Sequence, residues 1–87
     1  MPGTSRNSQA RKEAAREIGL RLQRRRLQLG LSQEMVAHLA GLSTFTYQKY
    51  EKGESRPGTP MNPTLSTLYA LSDVLEMEIG ELVRRAS

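Results

Sequence analysis

Four side chains near the middle of the sequence have types that can bind another molecule. They are a hydroxyl, an aromatic ring, an amide and an ammonium group: Thr44, Phe45, Gln48 and Lys49. Tyr47 and Tyr50 are spaced so that they share one face of a helix. If the tyrosines face inward, the other four side chains face outward together. An outward phenylalanine favours burial in a complex; the alternatives are an isolated exposed ring or a ring packed against the first helix.

The segment that must position these side chains reads as two short helices joined by a tight turn. Ser32 and Ser43 can cap the N-termini of the two helices with their hydroxyls. Gly41 and Gly53 can end them, because a helix C-terminus often needs a left-handed residue without a Cβ atom. A small alanine opposite the turn allows the helices to cross closely. The spacing predicts a helix-turn-helix.

This segment carries a pattern that is typical of one family. The residues that carry it are Gln33, Ala37, Gly41, Leu42, Ser43, Glu51 and Gly53. At these positions the sequence resembles the helix-turn-helix of lambda-repressor-like (XRE-type) transcriptional regulators, including the lambdoid phage repressors. The resemblance extends back through residues 21–31 and forward through residues 62–83. It implies a sequence-specific regulator that binds double-stranded DNA, a repressor acting as a homodimer on a palindromic operator.

The resemblance also implies which residues touch the bases. Thr44, Phe45 and Lys49 match base-contacting positions, and Gln48 is a lesser candidate. The major groove admits a helix and distinguishes all four base pairs. Threonine can hydrogen-bond any base edge or touch a thymine methyl group. Phenylalanine can only make apolar contact with that methyl, and lysine can reach guanine O6 and N7 or a phosphate.

A second set of residues is expected at the phosphates. Gln33 matches a backbone-contacting position at the positive end of the second helix. The other candidates are polar or basic: Ser32, Ser43, Arg26, Lys52 and Arg56. For each of these residues alone, a capping or solvated role is as good an interpretation. The resemblance further implies an ion pair between Arg26 and Glu51, which would link the first helix to the end of the third.

The dimer contact is expected at the fifth helix, as in relatives, through Ile79, Leu82 and Val83. One small domain covers few base pairs, so two copies would supply the specificity. Met35 and Leu39 fall on a face of the second helix that relatives usually leave polar. The inserted loop, the N-terminal segment or a second subunit could cover them, and our hypothesis is the loop. A different protein partner there is the alternative function: an antitoxin-like or accessory interaction module.

The charge distribution favours a polyanionic partner. The net charge of the chain is +4, but residues 1–30 hold eight basic and two acidic side chains, a net of +6. The remainder holds five basic and seven acidic side chains, a net of −2. Such asymmetry suits a partner that approaches from one side. The alternative is a solvated helix with a basic bias.

Several classes of protein are disfavoured because the sequence lacks the residues that they require. With no cysteine and one histidine, it holds too few ligands for a structural zinc and no disulfide. It shows no secretory signal and no apolar run long enough for a membrane span, so a cytoplasmic location is expected. No paired carboxylates, Ser–His–Asp set or phosphate-cradling glycine loop is seen, so we expect no enzyme. We also expect no cofactor and no small-molecule ligand.

We therefore predict an all-α, compact five-helix domain of the lambda-repressor-like class, with helices 2 and 3 forming the helix-turn-helix. Pro57, Gly58 and Pro60 predict an irregular inserted loop. Asn62 is expected to cap the fourth helix, with Pro63 as its first residue. The predicted segments are a flexible tail at 1–9, a domain at 10–85, helices at about 10–29, 33–40, 44–52, 63–75 and 79–84, and the loop at 54–61.

Overall fold

The computed structural model describes residues 2–85, with side chains from residue 8 onward. Five helices surround one core, which confirms the predicted all-α, five-helix class. A two-stranded hairpin is inserted after the third helix. The elements in chain order are α1 Pro2–Gln28, α2 Gln33–Ala40, α3 Thr44–Lys52, β1 Glu54–Arg56, β2 Thr59–Pro60, α4 Leu65–Val74 and α5 Ile79–Val83. No helix in this part of the chain is both long and apolar enough to cross a membrane.

The helix-turn-helix forms from local capping chemistry, as the sequence predicts. The Ser32 hydroxyl accepts a hydrogen bond from the Met35 amide, and the Ser43 hydroxyl accepts one from the Thr46 amide. These bonds satisfy amides that have no partner in the first turn of α2 and α3. Gly41 ends α2 with φ 75°, a left-handed conformation that glycine adopts without a steric penalty. The caps fix the length of both helices and hence the turn between them.

The core sits between α1, the helix-turn-helix and the two C-terminal helices. Its fully buried members are mostly aliphatic: Leu22, Val36, Ala37, Tyr47, Leu71, Leu75 and Leu82. Tyr47 has no exposed surface, and Tyr50 is half-buried against the same cluster. The predicted inward orientation of the tyrosine pair is therefore confirmed. It sets the rotation of α3 about its axis and so determines which side chains face outward.

Two glycines bring α1 and α3 into backbone contact. A Cβ atom on Gly19 would lie 2.7 Å from the Tyr50 carbonyl oxygen and closer still to that of Glu51. A Cβ atom on Gly53 would lie 2.8 Å from the Ala15 carbonyl oxygen. Only glycine permits these approaches, and the C-terminal end of α3 is held on α1 as a result.

The first helix begins earlier than predicted. Part of the predicted tail 1–9 lies outside the described residues, but the backbone is helical from Pro2 rather than from residue 10. Proline is favourable in a first helical turn, because its missing amide would have no partner there. The Gln9 amide also donates to the Glu13 carboxylate one turn later, at 3.3 Å.

The prediction of an irregular loop at 54–61 is wrong. Residues 54–56 and 59–60 pair as antiparallel strands, with Glu54 opposite Pro60 and Arg56 opposite Thr59. Gly58 has φ 81°, and its amide donates to the Glu54 carboxylate at 2.9 Å, which closes the turn. Pro60 is tolerated because it lies on an edge strand that needs no further amide.

The start of the fourth helix also differs. Thr64, not Asn62, is the N-cap: its hydroxyl accepts from the Thr67 amide at 3.2 Å, and α4 begins at Leu65. Pro63 therefore precedes the helix and is not its first residue. A residue before proline is pushed toward extended backbone, which moves the cap past the proline.

The C-termini of α4 and α5 are held by arginines of α1. The Arg25 guanidinium donates to the Leu75 carbonyl at 2.8 Å and to the Glu76 carbonyl at 3.2 Å. Arg21 donates to the Leu82 carbonyl at 3.1 Å and to that of Arg84. A positive charge is favourable at a helix C-terminus, where carbonyls lack partners.

The hypothesis that the inserted segment covers Met35 and Leu39 is wrong. These side chains are 46% and 57% exposed. The hairpin instead packs against α1 and α3, and Met61, which follows it, is buried on that side. The short connection through Gly53 holds the hairpin at the C-terminal end of α3, away from the outer face of α2.

Candidate nucleic-acid interface

The outer face of α3 presents the four side chains that the sequence predicts for base contact. Phe45 is 66% exposed and Gln48 is also exposed, while Thr44 and Lys49 are half-buried. The opposite face of the helix carries fully buried Tyr47. The alternative in which the Phe45 ring packs against α1 does not hold. The structure thus brings together, on one capped helix, a hydroxyl, an aromatic ring, an amide and a cation.

Phe45 and Lys49 contact each other on this face. The Lys49 Nζ atom lies 4.4 Å from the centroid of the Phe45 ring, within the range of a cation–π interaction. The two residues are one helical turn apart, a spacing at which side chains meet. From the sequence, a separate base contact is predicted for each residue. Their spacing of four residues already indicates that the two side chains can contact each other.

The ion pair between Arg26 and Glu51 joins α1 to the end of α3. Arg26 Nε lies 2.5 Å from Glu51 Oε2, and Arg26 Nη2 lies 3.1 Å from Oε1, a bidentate geometry. The side chains are only 11% and 4% exposed. The pair is extended by Gln33, which donates to Glu51 Oε1 at 2.9 Å and accepts from the Gln48 amide at 3.2 Å.

This network positions two of the predicted DNA-contacting residues. Gln33 lies at the start of α2 and Gln48 on the outer face of α3, so their hydrogen bond ties both helices of the motif to Glu51. Each amide group is oriented by a partner that is itself fixed. Because the amides are already oriented, less side-chain conformational entropy is lost when a ligand binds.

The charged groups of the network keep their charges because they are paired. Burial opposes ionisation of Glu51, but hydrogen bonds from Arg26 and Gln33 outweigh it and hold the pKa of the carboxyl below its ordinary value. The Glu51 carboxylate raises the pKa of Arg26. Burial, with the neighbouring carboxylate, raises the pKa of Tyr47, whose buried hydroxyl has no hydrogen-bond partner among the described residues.

The predicted phosphate role of Arg26 is not supported by this geometry. Its Nε and Nη2 atoms donate to Glu51, and its Nη1 atom donates to the Leu31 carbonyl at 3.1 Å. Little of the guanidinium remains for an external anion, so Arg26 acts by holding α3 in place. Ser32 and Ser43 are exposed caps, so each hydroxyl already serves its helix while lying at the surface.

The hairpin adds a second wall beside α3. A shallow cleft of about 180 Å³ separates the two elements. It is lined by Phe45, Gln48, Lys49, Lys52, Glu54, Ser55, Arg56 and Pro57. Lys52 and Arg56, both predicted phosphate contacts, are exposed at this cleft. The sequence prediction placed Arg56 in a loop and did not foresee that a paired strand would hold it next to α3.

The predicted dimer residues do not share one surface. Leu82 has no exposed surface and belongs to the core of its own domain, so its assignment to a dimer interface is wrong. Ile79 and Val83 are half-buried and keep some surface on α5. Leucine at the inward position of this short helix is needed to close the core against Leu71 and Leu75.

Comparison with known proteins identifies the family. A family model described as helix-turn-helix matches residues 22–82. The chain is 35% identical over 69 residues to the cryptic phage CTXphi transcriptional repressor RstR of Vibrio cholerae, a match covering 79% of this chain and 56% of that protein. It is 36% identical over 63 residues to an uncharacterized HTH-type transcriptional regulator of Sinorhizobium medicae, covering 72% of this chain and 41% of the relative. An uncharacterized HTH-type transcriptional regulator of Rhizobium meliloti matches to the same extent.

The chain spans about half the length of these curated relatives. No solved structure gives a significant match. The family match covers α2, α3 and their supporting helices, the same elements that carry the caps, the buried tyrosine and the ion pair. The chain belongs to the helix-turn-helix family, in the lambda-repressor-like (XRE-type) class that its motif resembles.

Proposed function

We propose that this domain is a transcriptional regulator that binds double-stranded DNA sequence-specifically, with α3 in the major groove. The observation that carries the proposal is the rotation of α3: buried Tyr47 leaves Phe45 66% exposed, beside Thr44, Gln48 and Lys49. The Lys49 ammonium group lies over this exposed ring. The side chains of this face are the types that read base edges.

Phosphate contacts would flank this helix on two sides. Gln33 and the exposed Ser32 lie at the positive end of α2, where backbone amides favour an anion. Ser43 offers the same arrangement at the start of α3. Lys52 and Arg56 lie at the other end, at the cleft between α3 and the hairpin. Such contacts give affinity and register without sequence information.

We further propose that two copies bind a palindromic operator and repress transcription. The V. cholerae relative is named a transcriptional repressor, which supports repression. Ile79 and Val83 on α5 are the remaining candidates for the contact between subunits. Replacing Ile79 with lysine should weaken dimerisation in sedimentation experiments and leave the core cluster, to which Ile79 does not belong, in place. An unchanged sedimentation coefficient in the presence of operator would contradict this interface.

The test of DNA recognition is selection of bound sequences from random duplexes at two salt concentrations. Recovered half-sites should be related by twofold symmetry and lie about 10 base pairs apart, or a multiple of this, centre to centre. Lys52 and Arg56 from two subunits make four cationic contacts, so log affinity should fall with log salt with a slope of about −4. Lys52→Ala should reduce that slope by about two without changing the recovered sequence. Absence of any enriched sequence would refute the proposal.

A second candidate function is an antitoxin-like or accessory module that binds another protein. Exposed Met35 and Leu39, one turn apart on α2, favour it. Replacing both residues with glutamine, which adds no charge, should then abolish binding of the partner and leave DNA affinity within about twofold. If the double variant instead loses sequence-specific DNA binding, this face belongs to the DNA-binding function and the second candidate fails.

A further inference from the structure

Phe45 and Lys49 form a preassembled unit on the outer face of α3. The ammonium group lies 4.4 Å from the ring centroid, and the ring remains 66% exposed. In the described residues, Lys49 forms no ion pair that would draw its charge elsewhere. Side chains on a helix lean toward its N-terminus, which brings the lysine back over the residue one turn earlier.

The separation of the two groups is of the same order as the spacing of neighbouring base pairs. Adjacent base pairs in B-DNA are about 3.4 Å apart along the helix axis. A ring and an ammonium group held 4.4 Å apart are therefore close enough to contact two consecutive base pairs. The two groups differ in chemistry, so each selects a different base.

The chemistry of each group indicates which base it prefers. The Phe45 ring cannot hydrogen-bond, and the apolar group that B-DNA offers in the major groove is the thymine methyl. The Lys49 ammonium carries only donors, and guanine offers two acceptors, O6 and N7, on its major-groove edge. If Lys49 keeps its contact with the ring in the complex, its ammonium group stays beside the base that Phe45 contacts.

Resting on the proposed DNA-binding function, we infer that Phe45 and Lys49 read one two-base-pair element in each half-site, a thymine next to a guanine on the same or the opposite strand. The two contacts are coupled. The ring restrains a lysine whose rotamer freedom would otherwise be lost on binding, so the guanine contact depends on the ring. Phe45 is thus both a base-contacting residue and the positioning residue for Lys49.

The experiment is a base-by-base measurement of binding by the full chain and three variants. The wild-type protein should lose between about fivefold and a hundredfold in affinity when the guanine of the recovered element is replaced. Phe45→Leu keeps an apolar side chain but removes the ring. It should retain the thymine preference and reduce the guanine discrimination at least threefold. Lys49→Met should remove the guanine discrimination and keep the thymine preference.

Lys52→Ala is the matched control, because it removes a neighbouring lysine that lies outside the pair. It should weaken binding to all sequences alike and leave the guanine discrimination unchanged. Circular dichroism spectra should show that each variant folds, since none of the three side chains belongs to the hydrophobic core.

Other outcomes overturn the inference in distinguishable ways. If an operator is recovered without a thymine–guanine element, or if Phe45→Leu leaves guanine discrimination unchanged, the coupled reading is wrong while DNA binding stands. If Lys49→Met weakens all sequences equally, Lys49 binds a phosphate and the inference fails. If no sequence is enriched, the proposed function fails and the inference fails with it.

Discussion

Replacing Glu51 with alanine tests how α3 is held against α1. The substitution removes the acceptor of two hydrogen bonds from Arg26 and one from Gln33. The guanidinium is only 11% exposed, so water cannot readily replace the lost carboxylate. The variant leaves a buried cation with a single remaining acceptor, the Leu31 carbonyl.

The expected magnitude follows from the burial of the pair. Removing one partner of a buried ion pair destabilises a protein by about 3–5 kcal/mol, mostly through the uncompensated charge that remains. Because Arg26 keeps one hydrogen bond and some exposure, we expect the lower end, about 3 kcal/mol. In a domain of this size, each kcal/mol shifts the melting temperature by about 4–8 °C. Glu51→Ala should therefore lower the melting temperature by roughly 12–24 °C.

Thermal unfolding followed by circular dichroism at pH 7 measures the effect. Asp73→Ala is the matched control, since it removes the same charge from an exposed side chain on α4. It should change stability by no more than about 0.5 kcal/mol. Adding Arg26→Met to the Glu51→Ala variant should restore part of the lost stability, because it removes the unpaired positive charge. Equal melting temperatures for Glu51→Ala and Asp73→Ala would refute the argument.

Three further changes are expected to move the free energy of unfolding in defined directions. Acidification below about pH 4.3 should destabilise the wild type, since the folded pKa of Glu51 lies below the value in the unfolded chain. In chemical denaturation, the free energy of unfolding of the Glu51→Ala variant should fall less over the same pH range. Gly19→Ala should cost about 1–3 kcal/mol, because its Cβ would lie 2.7 Å from the Tyr50 carbonyl, whereas Gly80→Ala meets open space. Similar melting temperatures for these two variants would contradict the close helix contact. Glu76→Gly should stabilise the domain by about 1 kcal/mol by relieving a left-handed φ of 56°, and a lower melting temperature would count against this.

The parts of the fold that local chemistry encodes could be predicted from the sequence. The caps at Ser32 and Ser43 and the glycine stops at Gly41 and Gly53 all fall where expected. Each depends on a hydroxyl or a missing Cβ atom within a few residues of its partner, so no tertiary information is needed. Helical spacing places Tyr47 and Tyr50 on one face, and the structure shows that this face is the inward one.

The hairpin was missed although the sequence contained its turn. Arg56-Pro57-Gly58-Thr59 places proline second and glycine third in a four-residue turn, an arrangement typical of a type II turn. Proline and glycine were interpreted only as residues that interrupt regular structure. The cap at Thr64 was missed for a related reason, because Asn62 before proline is also a common start of a helix.

Tertiary contacts limited the prediction of the site itself. Whether Leu82 faces the core or a partner depends on how α5 packs, which a five-residue helix does not encode in its own pattern. The exposure of Met35 and Leu39 likewise depends on where the hairpin lies. In contrast, the Arg26–Glu51 pair came from resemblance to a family, which carries tertiary information that spacing does not.

Three arginines of the basic N-terminal segment stabilise the fold of the domain itself. Arg21 and Arg25 of α1 hold the C-termini of α5 and α4, and Arg26 holds Glu51 at the end of α3. The excess of positive charge in residues 1–30 is thus partly neutralised inside the domain, by helix C-termini and by one carboxylate. The exposed cations beside α3 are instead Lys52 and Arg56, in the half of the chain with a net negative charge. The salt dependence of DNA binding should therefore follow the cations of the α3–hairpin cleft, and Arg21, Arg25 and Arg26 of α1 should govern stability.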